Sequence, residues 1–411
     1  MKIAVIGGGA SGMMAAISAA KEGAKVFLYE RNDRVGKKIL ATGNGKCNFS
    51  NLNLGVEQYY SEDMPFVKKV LDSFSTSNSV DFFEEAGMMI KDKNGYLYPA
   101  SEQASTVLDI LRMQLIQNNV CVYTDKKVSA ISKVQGGAEK FRVVCNDGKE
   151  LYDKVILSCG GKASPITGSD GNGYKLAEGL GHKILPVFPA LVQLKCQEEY
   201  IKAVSGVRLD AKLTLKVNEK EVASERGELQ LADYGISGIV TFQLSRIAVK
   251  NVMDKKNTKV FIDCLPGYTD EEYAKFCKQR KALYQNSDCT VEEFFTGMLN
   301  KKIMLLFMKL AGLKTTEKYI LADKKKIDKV FELCRVFPLT ITGFHSFDKA
   351  QVTAGGVPLW EVNETLESKK VKGLYIVGEM LDADGKCGGY NLQWAWSTGY
   401  IAGKHAAMNK Q

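Results

Sequence analysis

No stretch of the 411-residue chain stays apolar long enough to cross a membrane as a helix, so no membrane partner is expected. None of its ten cysteines is spaced C-x-x-C, and with only three histidines the chain shows no metal-ligand pattern. A metal site is therefore not expected, and most thiols read as buried and reduced. The N-terminus, MKIAVIGGGASG, runs into glycines and lacks an A-x-A cleavage site, so a cytoplasmic protein is expected.

What remains is the composition of a globular protein, 45% hydrophobic and 25% charged. A chain of this length implies two domains, or one large domain carrying an insertion.

Lys2 to Ile6 is an apolar run too short for a helix, and Gly7, Gly9 and Gly12 follow it in G-x-G-x-x-G order. A helical pattern then runs from about Ser11 to a C-terminal Gly23, and KVFLY makes a second strand closed by Glu30. Each part has a physical reason. Gly7 permits the tight turn, Gly9 lets backbone approach a pyrophosphate, and Gly12 lets helix pack on strand. The unpaired N–H groups of the helix start, around Ala10 and Ser11, suit phosphate oxygens. Glu30 stands near the usual spacing for a carboxylate that accepts from the adenosine ribose, with Arg31 beside it.

A second glycine cluster selects FAD over NAD. Residues 373–378, GLYIVG, read as a strand leading to Gly378 and Glu379, and a glycine loop with Gly388 and Gly389 then feeds a helix from about Asn391 to Ala407. Aimed at the first site, that helix start, with Tyr390, Asn391 and Leu392, would hold the flavin and stabilise the negative charge of its reduced form. Trp394 and Trp396 read equally as core. KVILSCGG, ending in Gly160 and Gly161, reads as a strand that returns the chain to the nucleotide, and Val128 is a further candidate contact. No second G-x-G-x-x-G follows a strand, so NAD(P)H, as reductant, is expected to visit the flavin transiently.

Residues 36–51, GKKILATGNGKCNFSN, pack glycine, lysine and one thiol between the two motifs. Gly43 and Gly45 give backbone room near FAD, while Thr42, Asn44, Asn48 and Asn51 can hydrogen-bond it. Lys37, Lys38 and Lys46 would offset pyrophosphate charge or meet an anionic substrate. Cys47, amid lysine and glycine N–H groups, reads as an accessible, electropositive thiol, either a proton donor or a structural wedge.

After Pro186 the texture changes to short alternating strands, including GISGIVTFQLS, and then to helices. The division expected is a first FAD-binding part at 1–188, an inserted β-barrel at 189–268, a basic helical subdomain at 269–333, a return strand at 334–348 and a second FAD-binding part at 349–411. The fold class is α/β: a Rossmann-like domain assembled from both termini, with a small β-barrel and a helical subdomain inserted. Net charge is +9, and residues 275–330 hold thirteen basic against six acidic residues. That excess suits an anionic partner such as RNA, and suits a solvated lysine-rich surface as well.

The runs GGGASGMMAA, GKKILATGNGKCNFSN, TAGGV at 353–357 and GEMLDADGKCGGYNLQWAWSTG resemble the BaiN/RdsA (YhiN-type, aminoacetone-oxidase-like) family of flavoproteins, essentially end to end. The resemblance implies a two-part FAD domain with a barrel and helical insertion. It implies reduction of an activated C=C bond with NAD(P)H, either uridine in 23S ribosomal RNA or a 3-oxo-4,6-diene bile acid. Another branch resembles amine oxidases, and a flavin-containing RNA-binding or redox-sensing protein would show the same glycines and lysines. Many members carry histidine where this chain has Cys387. Cys47, Cys387 and Tyr390 are thus the candidate proton donors, with His345 a more distant one.

Overall fold

The computed structural model describes residues 1–134 and 140–408. Strand β1 (Lys2–Ile6), helix α1 (Ala10–Lys21) and strand β2 (Lys25–Tyr29) follow one another without slack. Both strands bury four consecutive residues after an exposed lysine, as strands of a parallel sheet do when each face is covered. Helix α1 ends where Gly23 turns left-handed at φ +84°, with N–H bonds from Gly23 to Ala20 and from Ala24 to Ala19.

The sheet has five strands in the order Leu374–Ile376, Lys154–Leu157, β1, β2, Cys121–Tyr123, all parallel. A strand from near the C-terminus thus forms one edge, and the helix that follows it, Tyr390–Ala407, lies against α1. Glycine makes that contact. A Cβ at Gly399 would fall 2.4 Å from the Ser11 carbonyl oxygen, and one at Gly403 would fall 2.3 Å from that of Ala15.

The chain divides into two compact units, Met1–Pro189 with Phe347–Gln411, and Ala190–Ser346. The second unit holds a closed barrel with strands in the order Leu194–Cys196, Gly235–Ser237, Lys220–Ala232, Arg208–Val217, Thr258–Asp263, Phe337–Phe344. Along Arg208–Val217 the buried positions are Ala211, Leu213, Leu215 and Val217, the alternation of a strand with one face on the core.

The structure corrects three of the expectations. GISGIVTFQLS is not all strand: Gly235–Ser237 pairs in the barrel, but Ile239–Met253 is a helix whose buried Val240, Leu244 and Ala248 repeat every four residues. The return strand begins at Phe337, because the preceding helix, Lys324–Arg335, runs past residue 333. The basic helical segment is also less basic than the 275–330 count suggests. Its first helix starts at Asp270, and from there to Arg335 the chain holds fourteen basic and ten acidic residues. Lys281, Lys301, Lys318 and Lys329 are moreover paired with Asp328, Glu292, Asp288 and Glu332.

The Gly403 contact gives a direct test of the helix pair. Gly403→Val should lower unfolding free energy by about 1–3 kcal/mol, the usual cost of overpacking, as read by denaturant titration. An unchanged midpoint would show that the two helices can separate freely.

Candidate flavin-binding and active site

At the carboxyl ends of β1, β2 and Lys154–Leu157 the first unit opens into a cleft of about 1260 Å³, counting space continuous with solvent. Its walls run from Tyr29, Glu30 and Arg31, past Gly7 to Ser11, to Asn391, Leu392, Trp394 and Ala395.

The glycines divide their work by geometry. Gly12 is closed: a Cβ there would lie 1.9 Å from the Gly7 carbonyl oxygen. Gly9 is open: its backbone is extended at φ −81°, and a Cβ added to it would meet no atom within 4 Å, so that side faces the cleft it lines. Glu30 is buried at the end of β2. Its Oε2 accepts from the Gly8 N–H at 2.9 Å, and its Oε1 from the Asn32 backbone and side-chain amides, each at 2.8 Å. Burial raises its pKa against the opposing pull of those N–H groups. Oε2, with one N–H partner, keeps acceptor capacity for a ribose hydroxyl.

Two of the helices that reach the cleft, from opposite ends of the chain, begin uncapped. Neither α1, with Gly9 as N-cap, nor Tyr390–Ala407, with Gly389, has a side-chain cap or an acid in its first turn. Two partial positive charges therefore face one cavity, one suited to a pyrophosphate and one to the electron-accepting edge of a flavin. Asn48 Oδ1, buried beside Gly389, has no hydrogen-bond partner among the described residues. A cleft with the buried Glu30 carboxylate and two uncapped helix starts in its wall fits FAD. Trp394 borders the cavity and donates to the Gly378 carbonyl, whereas Trp396 is fully buried and donates to that of Phe49.

Of the sequence-predicted contacts, Gly7, Gly9, Ala10, Ser11, Glu30, Arg31, Lys37, Lys38, Thr42, Val128, Gly160, Glu379, Asn391 and Leu392 line the cleft. Gly12, Gly43, Asn44, Asn48, Gly161, Gly378, Gly388 and Gly389 do not line it, nor do Cys47, Cys387 and Tyr390, and Gly43 and Asn44 are exposed to solvent. Gly161 and Gly378 are backed by Thr353 and Ser11, which leave no room for a larger residue. His345 belongs to the second unit, its ring against Tyr234.

Each lysine of the 36–51 stretch has a carboxylate partner: Lys37 pairs with Asp33 at 2.7 Å, Lys38 with Glu379 at 2.7 Å and Lys46 with Glu102 at 3.3 Å. Cys47 is neither accessible nor electropositive. Its left-handed backbone, φ +55°, belongs to a run in which Gly43, Asn44 and Gly45 are also left-handed, and the side chain is fully buried. Burial pushes its thiol up to about 12.

Sequence reasoning missed Lys126, Lys127, Ser158, Thr167–Asp170, Asn172, Gln351 and Val352, all of which border the cleft. Asp170 pairs with Arg31 across it. The signal for part of this set is the glycine-rich SPITGSDGNG following the third strand of the motif. Among the described residues, no group of three or more His, Cys, Asp or Glu could hold a metal ion, and no helix is long and apolar enough to cross a membrane.

Sheet, cleft and paired helix termini define a flavin-dependent oxidoreductase with a Rossmann-type FAD domain. The family model described as "HI0933-like protein Rossmann domain" matches residues 1–405, and the chain belongs to that family. It is 42% identical over 414 residues to a "3-dehydro-bile acid delta(4,6)-reductase" of Clostridium scindens, covering 99% of both chains. It is 29% identical over 402 residues to a "Ribosomal RNA dihydrouridine synthase" of Haemophilus influenzae, covering 96% of both. Among solved structures, a 3-ketosteroid Δ1-dehydrogenase from Sterolibacterium denitrificans shares the fold, with TM-score 0.50 and 12% identity over 98% of this chain and 99% of that one. The BaiN/RdsA resemblance is thereby confirmed.

The two glycines separate binding from folding. Gly9→Val should leave the melting temperature of flavin-free protein nearly unchanged yet weaken FAD retention about tenfold or more. Gly12→Val should instead destabilise the apoprotein by about 1–3 kcal/mol or more. Equal losses of stability in both would show that the Gly9 side of the cleft is closed.

Proposed function

We propose that this chain reduces a C=C bond conjugated with a carbonyl, and that its substrate is a uracil base of ribosomal RNA, converted to dihydrouridine with NAD(P)H as the electron source. The observation that carries the reaction class is the uncapped Tyr390–Ala407 helix start facing the cleft within this family. The RNA reading is supported by the name of the Haemophilus relative and by the net charge of +9. A second reading, a 3-oxo-4,6-diene steroid acid, is favoured by the higher identity to the Clostridium relative.

When bound, FAD supplies a hydride for the carbon β to the carbonyl, and a proton completes the α carbon. The chain's own groups do the rest. N–H groups at Asn391 and Leu392, in the uncapped first turn that lines the cleft, would stabilise negative charge on a bound flavin. Glu30 and the α1 start anchor the far end of the cofactor, which fixes where the ring lies. For the proton, Cys387 and Tyr390 are the candidates that flank Gly388 and Gly389 at the helix start, one step back from the cleft lining, whereas Cys47 is fully buried. Burial raises Cys387 to about 11 and Tyr390 to about 12, so either group holds its proton throughout the neutral range.

Anaerobic NADPH should bleach the yellow protein, and a 23S rRNA fragment should reoxidise it faster than a 3-oxo-4,6-diene bile acid does. Faster reoxidation by the dienone would establish the steroid reading. A flavin that stays oxidised would remove the reductase reading altogether.

Because the two donors titrate at about 11 and about 12, the rate of product formation should be flat from about pH 6 to 9 and should fall only as the donor loses its proton at higher pH. Cys47→Ala should cost about 1 kcal/mol of stability while leaving product formed per bound flavin unchanged. A pH midpoint near 7, or a Cys47→Ala enzyme that reduces its flavin but forms no product, would contradict these assignments.

A further inference from the structure

The hairpin at residues 90–99, KDKNGYLYP after Ile90, has no part in the cleft and is not explained by FAD binding. Its turn, Asn94-Gly95, has φ +55° and +90°, the left-handed pair that closes a tight two-residue hairpin. Lys91 pairs across with Tyr98 and Lys93 with Tyr96, while Asp92 pairs with Leu97 and Ile90 with Pro99. Residues directly opposite share a face, so two lysines and two tyrosines stand on one side. The other side buries Leu97 and Pro99.

The polar side is not a neutralised surface. Glu102, itself left-handed at φ +54°, receives Lys91 at 2.6 Å, Lys93 at 2.7 Å and Lys46 at 3.3 Å. Three ammonium groups thus share one carboxylate, and all three are substantially exposed. Tyr96 is 39% exposed, which leaves part of its ring open to a ligand.

The face also adjoins the start of the Tyr390–Ala407 helix, whose Asn391 and Leu392 line the cleft. The hairpin is the outer part of a three-stranded sheet whose third strand, Ser50–Asn51, ends the 36–51 stretch. Asn51 Nδ2 donates to the Gly388 carbonyl at 2.9 Å, and a Cβ on Gly388 would lie 3.0 Å from the Tyr96 ring. Asn48, three residues before Asn51, has its Oδ1 beside Gly389.

We propose that this lysine and tyrosine face docks a single-stranded RNA segment: Lys46, Lys91 and Lys93 take a phosphodiester in place of Glu102, and Tyr96 stacks a base flanking the uracil to be reduced. Exposed aromatics interleaved with lysines are what a flexible strand requires, since stacking holds bases and ammonium groups hold the backbone. Glu102 keeps the three lysines together until a phosphate, with more acceptor oxygens, displaces it. The inference rests on the RNA reading above and adds to it the place where the strand lies.

The test is binding of the FAD-loaded protein to a ribosomal RNA fragment over a range of salt, with flavin content and melting temperature reporting the fold. Lys91→Gln/Lys93→Gln should weaken binding about tenfold or more and reduce the slope of log K against log salt by about 1.4, as expected for two phosphate contacts on a single strand. Tyr96→Ala should weaken binding about tenfold with the slope unchanged. Glu102→Gln, which frees the lysines, should tighten it. Lys325→Gln, on the helical segment, serves as a surface control. Wild-type affinity and slope in the double lysine variant, with the wild type itself binding RNA, would overturn the hairpin assignment alone. A wild type that neither binds nor reduces the fragment would overturn the RNA reading and the hairpin with it.

Discussion

Everything at the cleft depends on the close contact between α1 and the C-terminal helix. Gly399 and Gly403 bring the two backbones together against Ser11 and Ala15, and both helices then present uncapped N-termini to one cavity. Helix starts that lack side-chain caps leave N–H groups in need of acceptors, and a dinucleotide with an electron-accepting ring supplies them at both ends. A sequence whose two halves are separated by the whole of Ala190–Ser346 must close this contact to make a site at all. The parallel sheet, with an edge strand contributed from near the C-terminus, is what holds the halves in register.

Much of this architecture was legible because glycine positions carry geometric meaning. G-x-G-x-x-G between a buried strand and a helix implies a turn, an approach and a packing contact; Gly7 turns left-handed, Gly12 leaves no room for a Cβ and Gly9 has an open side. Glu30 was legible for the same reason, by its distance from the turn. Ile239–Met253 was not, since its start, GISGIV, alternates like a strand, and the four-residue repeat shows only when Val240, Leu244 and Ala248 are read together. The return strand expected at 334–348 is there as Phe337–Phe344, but its pairing leaves no local trace, because the strands it closes the barrel against, Leu194–Cys196 and Thr258–Asp263, lie far back along the chain.

The direction of a side chain is harder to read than its identity. Cys47 sits among lysines and glycines, which suggests an activated thiol, yet four left-handed residues, Cys47 itself among them, turn the side chain inward, and burial raises its pKa instead. Lysine counts mislead similarly. The 275–330 excess shrinks once Asp270, Glu271, Glu272 and Glu332 are included, and several of its lysines are ion-paired, whereas three lysines that share the single Glu102 keep net positive charge at one point. Charge acts where it is left uncompensated, which pairing in three dimensions decides and composition does not.

The chemistry proposed is a two-electron reduction with a proton held by a buried, high-pKa group near the helix start. Its sharpest test removes the nicotinamide. Flavin in the protein is reduced by light without oxygen and then mixed with an excess of ribosomal RNA fragment. Nucleoside mass spectrometry should find one dihydrouridine for each flavin reoxidised. Flavin that stays reduced until oxygen is admitted, with no dihydrouridine formed, would contradict the account.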